Sequence, residues 1–350
     1  MDLIIFVVAL SILVLVHEFG HFFAAKITGV KVEEFGLGLP PKIFGKFWKG
    51  TVWSLNWLPI GGFCKLYGED ADGKGTEAFN NKNPAQKGLI VVGGVLMNLV
   101  LAIVIFTSVY SIMGIPEEKD YVKIIGVAKD SPAEKAGLKE EDIIVMVNDK
   151  KIGKPEELTE EVGKYKGQII KLKVYQVNQV ESEVMVEVRE NPPEGEGSMG
   201  VAISNTEMVK IKWYEFYKGI GAGFKEAWYW GEIIAGGVFK MVAGLLTGQA
   251  PKDVAGPIGM YQATTSIKQN QGMLAVIHFF GVVSVNLAIV NILPFPALDG
   301  GRIVFVIYEL LTKKRANAKF EAVVNNVGMM ILLSMILLIT AGDVWRIFVK

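Results

Sequence analysis

The 350-residue chain predicts an α-helical membrane protein with four transmembrane helices, a re-entrant β-hairpin between the first two, and one small α/β module. Three observations predict this fold class. Four apolar stretches each reach the ~20 residues that a helix needs to cross a hydrocarbon core. Residues 35–67 alternate glycine and proline with aromatics and read neither as helix nor as an ordinary soluble segment. Residues 121–190 then change to short alternating runs typical of a small soluble fold. The composition agrees, with 51% hydrophobic residues against a soluble average of roughly 45–50% apolar.

The first apolar stretch, residues 3–25, opens with the uncharged run LIIFVVALSILVLV and passes into His17-Glu18-Phe19-Gly20-His21. Residues four apart share one helix face, so both imidazoles can bind a single Zn²⁺ while Glu18 reaches a water at the metal. Ionisable groups at membrane depth are costly and mark function by default. A soluble metalloprotease helix has no need of so long an uncharged run ahead of its ligands, so the pattern points to zinc-dependent hydrolysis inside a bilayer. A chance match is the competing reading, but the chain has only three histidines and two of them fill the motif. The third, His278 in AVIHFFGVV, reads as a packed histidine and not as a ligand. The stretch lacks a basic leader and a small-residue cleavage site, so it is expected to remain on the mature protein.

The second apolar stretch covers residues 88–114, where Asn98 is the only amide side chain. The third covers residues 273–311 and is broken by Asn291-Ile292-Leu293-Pro294-Phe295-Pro296; the fourth covers residues 322–341. An even number of spans puts both termini on one side. Residues 26–87 carry nine lysines against six acidic residues, and the loop after the third span carries Lys313, Lys314, Arg315 and Lys319 against Glu321. The positive-inside rule places both loops in the cytoplasm and therefore the termini and the α/β module outside it. The metal is expected within the membrane boundary near its cytoplasmic side, because about 15 apolar residues rising 1.5 Å each precede His17.

Within residues 35–67, Gly61-Gly62-Phe63 follows two aromatic runs, and two short strands around turn residues fit the pattern. Strands cannot stand in lipid with unpaired backbone groups, so they must pack on protein or line a wet cavity. A re-entrant hairpin beside the metal, with an edge free for an extended peptide, satisfies this. An interfacial aromatic anchor is the other reading.

In the α/β module, strand-like runs fall at residues 121–127, 143–147, 169–175 and 184–188, with helix-like pieces at 132–136 and 155–162. Ser131-Pro132-Ala133-Glu134-Lys135-Ala136-Gly137-Leu138, followed by Glu141-Asp142-Ile143-Ile144 and Val147-Asn148-Asp149-Lys150, resembles the PDZ family in the permuted form common in bacterial proteases. Residues 213–246 mix aromatics with charges and suit either a helix lying at the membrane interface or a soluble helix packed on the module. The expected domains are a membrane core of residues 1–117, a PDZ domain of 118–205, an interfacial amphipathic linker of 206–270 and a second membrane core of 271–350.

Two histidines leave zinc short of the three protein ligands usual in catalytic sites. The candidate third is Asp299, in Pro294-Phe295-Pro296-Ala297-Leu298-Asp299-Gly300-Gly301, just beyond the proline-broken helix; an Asp-Gly pair by itself usually marks a turn. With the His-Glu-x-x-His helix, this Asn-x-x-Pro-x-Pro-Ala-Leu-Asp-Gly-Gly segment and the PDZ-like module, the chain resembles the site-2 protease family. Among bacterial members it is closest to the regulator of sigma-E protease type. Further matches are Gly61-Gly62-Phe63, Phe79-Asn80-Asn81-Lys82 and Val254-Ala255-Gly256-Pro257-Ile258-Gly259. A single PDZ-like module departs from the best-known enterobacterial members, which carry two in tandem.

The resemblance implies a zinc protease core with an extracytoplasmic PDZ domain, in which His17, His21 and Asp299 bind Zn²⁺ and Glu18 is the general base. It implies that Asn291 helps hold the substrate or the developing oxyanion, and that Pro294, Gly61, Gly62 and Phe63 belong to the substrate site. It also implies a multi-pass protein of the bacterial cytoplasmic (inner) membrane, acting in the lipid bilayer on single-span membrane proteins such as trimmed anti-sigma factors and signal-peptide remnants. A non-catalytic PDZ-containing scaffold or chaperone is the alternative, and it gives no reason to keep all four chemical residues. A membrane zinc protease with a Glu as third ligand would leave Asp-Gly-Gly unexplained. Lys+Arg and Asp+Glu balance at 36 each, so bulk charge calls for no nucleic-acid partner, and the one cysteine, Cys64, excludes an intramolecular disulfide.

Overall fold

The structure, a computed structural model, describes residues 1–69, 73–176, 180–193, 195–247 and 256–348. Of the Val254–Gly259 match, Val254 and Ala255 lie outside the described residues. In chain order the elements are α1 (Asp2–Ile27), β1 (Val32–Trp48), β2 (Thr51–Leu66), α2 (Pro84–Met113), β3 (Ile115–Val127), α3 (Pro132–Lys135), β4 (Ile143–Val147), β5 (Lys150–Lys151) and α4 (Pro155–Gly163). There follow β6 (Ile169–Tyr175), β7 (Glu181–Glu187), β8 (Val201–Val209), α5 (Phe216–Leu246), α6 (Pro257–Gln271), α7 (Met273–Ile292), α8 (Asp299–Thr312) and α9 (Ala318–Phe348). They form two units, one of Met1–Ile112 with Trp213–Lys350 and one of Met113–Lys212.

In the first unit, four helices among the described residues are long and apolar enough to cross a membrane: Asp2–Ile27, Pro84–Met113, Met273–Ile292 and Lys319–Trp345. The third apolar stretch is not continuous. Pro294 and Pro296 cannot donate backbone hydrogen bonds, so α7 stops at Ile292 and the chain turns before α8 begins at Asp299. Only 6% of the α9 span is buried, and its exposed Met330, Leu337 and Leu338 form a surface that hydrocarbon accepts and water does not. Where α1 crosses α2, a Cβ on Gly20 would fall on the Gly93 carbonyl. Only glycine lets the two backbones come this close, as small residues do between membrane helices. Phe6 and Leu13 of α1 then pack with Val276, Phe280 and Val283 of α7.

β1 and β2 pair twice. Glu34, Phe35, Gly36 and Leu37 pair on one side with Lys65, Cys64, Phe63 and Gly62, and on the other with Val52, Trp53, Ser54 and Leu55. The Gly62–Leu66 end of β2 is thereby an outer segment of the sheet. A Cβ on Gly62 would stand 2.9 Å from the Gly36 oxygen and 3.0 Å from Leu15 Cδ2, so its lack of a side chain lets this segment lie against α1.

The second unit is an antiparallel sheet in the order β7-β6-β4-β3-β8, with β5 beside β4. Val122, Ile124, Ile144, Val147, Ile170, Leu172 and Val186 are fully buried in its core with Leu158 of α4. Ser131 caps α3, its Oγ accepting from Glu134 N at 3.1 Å, with Pro132 in the first turn. β8 is an addition to the strands expected from the sequence. Its Ser204, Asn205, Thr206 and Glu207 interrupt the apolar pattern, and pairing with β3 holds it in place.

Candidate metal centre

His17 and His21 stand one helical turn apart on α1 and point the same way, as their spacing requires. Asp299 comes to them from the first turn of α8, where a carboxylate is favoured by the helix dipole. The reversal that brings it there depends on Gly300 and Gly301, whose Cβ atoms would strike the carbonyls of Ile292, Leu293 and Phe295. His17 Nε2 lies 3.1 Å from Asp299 Oδ2, His21 Nε2 lies 3.4 Å from the same oxygen, and the two Nε2 atoms are 3.1 Å apart.

These separations fit a metal. The edge of a tetrahedron with bonds of about 2.0–2.1 Å is about 3.3–3.4 Å. Asp299 Oδ2 is buried, and the polar atoms that face it are the two imidazole nitrogens. His21 Nδ1 is 2.9 Å from the Ile90 carbonyl oxygen, which can only accept, so the proton is on Nδ1 and the Nε2 lone pair faces the apex. With His17 also protonated on Nδ1, three lone pairs converge with no proton between them, and they repel unless a cation joins them. The donor set, two imidazoles and a carboxylate, suits zinc.

The three residues open onto a cavity of about 500 Å³ that Glu18, Asn291, Phe63, Cys64 and Arg302 also line. The Glu18 carboxylate faces the Cys64 backbone N–H, so the outer segment of β2 flanks it. Asn291 Nδ2 is 3.5 Å from His17 Nε2. Gly61 and Gly62 sit on β2 beside Val14 and Leu15, while Pro294 is exposed in the break between α7 and α8. Arg302, one turn beyond Asp299, pairs with Glu69 after β2 and so ties α8 to the hairpin.

Two α2 residues that the sequence does not single out as site residues complete the wall. Asn98 Nδ2 is 3.3 Å from His17 Nδ1. Gly94 faces both imidazoles, and a Cβ there would lie 2.5 Å from His21 Nε2 and 2.7 Å from His17 Cε1. Gly94→Ala is therefore expected to push the rings off their positions and weaken metal binding at least about tenfold, measured as metal retained against a chelator. His278 lies elsewhere. Its Nε2 is 3.0 Å from Glu226 Oε1, and although burial pushes Glu226 up, hydrogen bonds from His278, Tyr110 and Trp230 hold its carboxyl below the usual range.

Residues 5–335 match the model of peptidase family M50, and the chain belongs to that family, which is that of the site-2 proteases. A Clostridium perfringens protein bearing a zinc metalloprotease name is 32% identical over 98% of each chain. Similarly named proteins of Clostridium acetobutylicum and Rickettsia conorii are each 31% identical, over 98% of this chain and 97% of the relative in the first case and 99% of each in the second. A solved PDZ domain of an SdrC-like protein from Listeria innocua covers 26% of the chain at 19% identity with a TM-score of 0.22, too slight a likeness to argue from.

Proposed function

We propose that the chain is an intramembrane zinc endopeptidase that cuts single-span membrane proteins within or near their membrane segment. The observation that supports it best is the convergence of Asp299 of α8 with His17 and His21, which share a helix of membrane length with Glu18 in the same cavity. Zinc held by these three residues would polarise the scissile carbonyl and activate water near neutral pH.

The chain's own residues do the rest. Glu18 takes the proton of the attacking water and returns it to the leaving amine. The Asn291 amide donates toward the oxygen on which charge develops. The substrate must unwind locally, because a helix keeps its carbonyls in internal hydrogen bonds, and the outer segment of β2 near Phe63 offers it backbone partners. In this reading β1 and β2 re-enter the membrane from the cytoplasmic side, and water reaches the metal from there. The protein is multi-pass in the bacterial inner membrane, with termini and module outside the cytoplasm. Suitable substrates are trimmed anti-sigma-like proteins and signal-peptide remnants.

The unit around Met113–Lys212 is read as a PDZ domain that excludes substrates with bulky external parts. In proteoliposomes with zinc, the full chain is expected to cut a trimmed single-span substrate and to spare an untrimmed one. Replacing residues 119–191 with a short linker should leave the first cut intact and permit the second. If a folded, zinc-bearing deletion protein no longer cuts the trimmed substrate, the unit docks substrates instead of filtering them. A full chain that holds zinc and cuts neither substrate would favour the scaffold reading.

A further inference from the structure

We infer that Asn98 is a positioning residue for the metal centre, accepting the Nδ1 proton of His17 and so directing its Nε2 lone pair to the ligand apex. The inference rests on the zinc reading above. Asn98 is wholly buried on α2, and its backbone oxygen accepts from Ser284 Oγ of α7 at 2.8 Å, which fixes this turn of the helix beside the site. Its amide nitrogen stands 3.3 Å from His17 Nδ1, while its amide oxygen is buried with no partner. An unpartnered oxygen at that depth is costly.

A half-turn of the side-chain amide exchanges its nitrogen and oxygen, and the two orientations have opposite consequences for the ring. With NH₂ toward Nδ1, the ring accepts there and its proton sits on Nε2, the atom 3.1 Å from both Asp299 Oδ2 and His21 Nε2. A protonated Nε2 cannot ligate. With the oxygen toward the ring, Nδ1–H donates to it and Nε2 is free to bind. Metal binding through Nε2 thus selects the second orientation. His21 has the matching arrangement, because its Nδ1 faces the Ile90 carbonyl of the same helix. One helix, α2, therefore supplies the acceptor behind each imidazole, by a main-chain group in one case and a side chain in the other.

The test measures the zinc dissociation constant of the full-length, detergent-solubilised protein by chelator competition, with the melting of zinc-free samples as a folding control. Asn98→Leu, close in volume but unable to accept, should weaken zinc 10–100-fold, whereas Asn98→Asp, which can accept, should retain most of the affinity. If Asn98→Leu does not fold, Asn98→Ala removes the acceptor without adding bulk and takes its place. Unchanged affinity in the variant lacking an acceptor would overturn the inference, as would an equal loss in Asn98→Asp. A wild-type protein that binds zinc no better than a His17→Ala control would overturn the metal reading itself, an outcome distinct from the other two.

Discussion

Glu18→Gln is expected to stop cleavage of a single-span substrate, by about 10²–10⁴-fold, while zinc content stays at about one per chain. The carboxylate lines the same cavity as the three candidate ligands but does not belong to the cluster of ligand atoms formed by His17, His21 and Asp299. In the proposed mechanism its role is to accept a proton, and the amide that replaces it is nearly isosteric and has no basicity. Zinc analysis and turnover on one preparation check this together. Loss of zinc would make Glu18 a ligand, and retained turnover would move the base elsewhere.

Asp299→Ala should abolish activity by another route. It removes the only oxygen among the three converging atoms, so zinc affinity should fall by more than the 10–100-fold that changes behind the ligands cost. Chelator competition reads the first effect, and single-turnover cleavage at saturating zinc reads the second. Full occupancy with full activity would assign the third ligand to another residue and would revive the reading with a Glu in that place. Glu18→Gln and Asp299→Ala are thus expected to differ in metal content while agreeing in lost turnover.

The parts of the site carried by local pattern were legible in the sequence. The interval from His17 to His21 is one helical turn, and Asp299 follows prolines that must end a helix. Asn98 and Gly94 were not legible as site residues, because what makes them face the imidazoles is the close crossing of α1 and α2 at Gly20 and Gly93, a tertiary contact with no local signature. The strands of residues 35–67 announced themselves by composition, but the double pairing of Glu34 to Leu37 depends on how β1 and β2 fold back on each other. The pairing of Glu69 with Arg302 joins residues 233 positions apart, beyond any periodicity.

The Cys64 N–H that faces the Glu18 carboxylate belongs to the main chain, and so do the contacts that the outer edge of β2 can offer a visiting peptide. Backbone groups are the same for every residue except proline. A protease that engages its target through them is largely blind to the letters of the target's sequence and responds to how readily a helix comes undone. Choice among substrates would then follow local helix propensity, with glycine, serine or asparagine near the cut favouring cleavage, and a tract of leucine and alanine would be spared although it fits the same space.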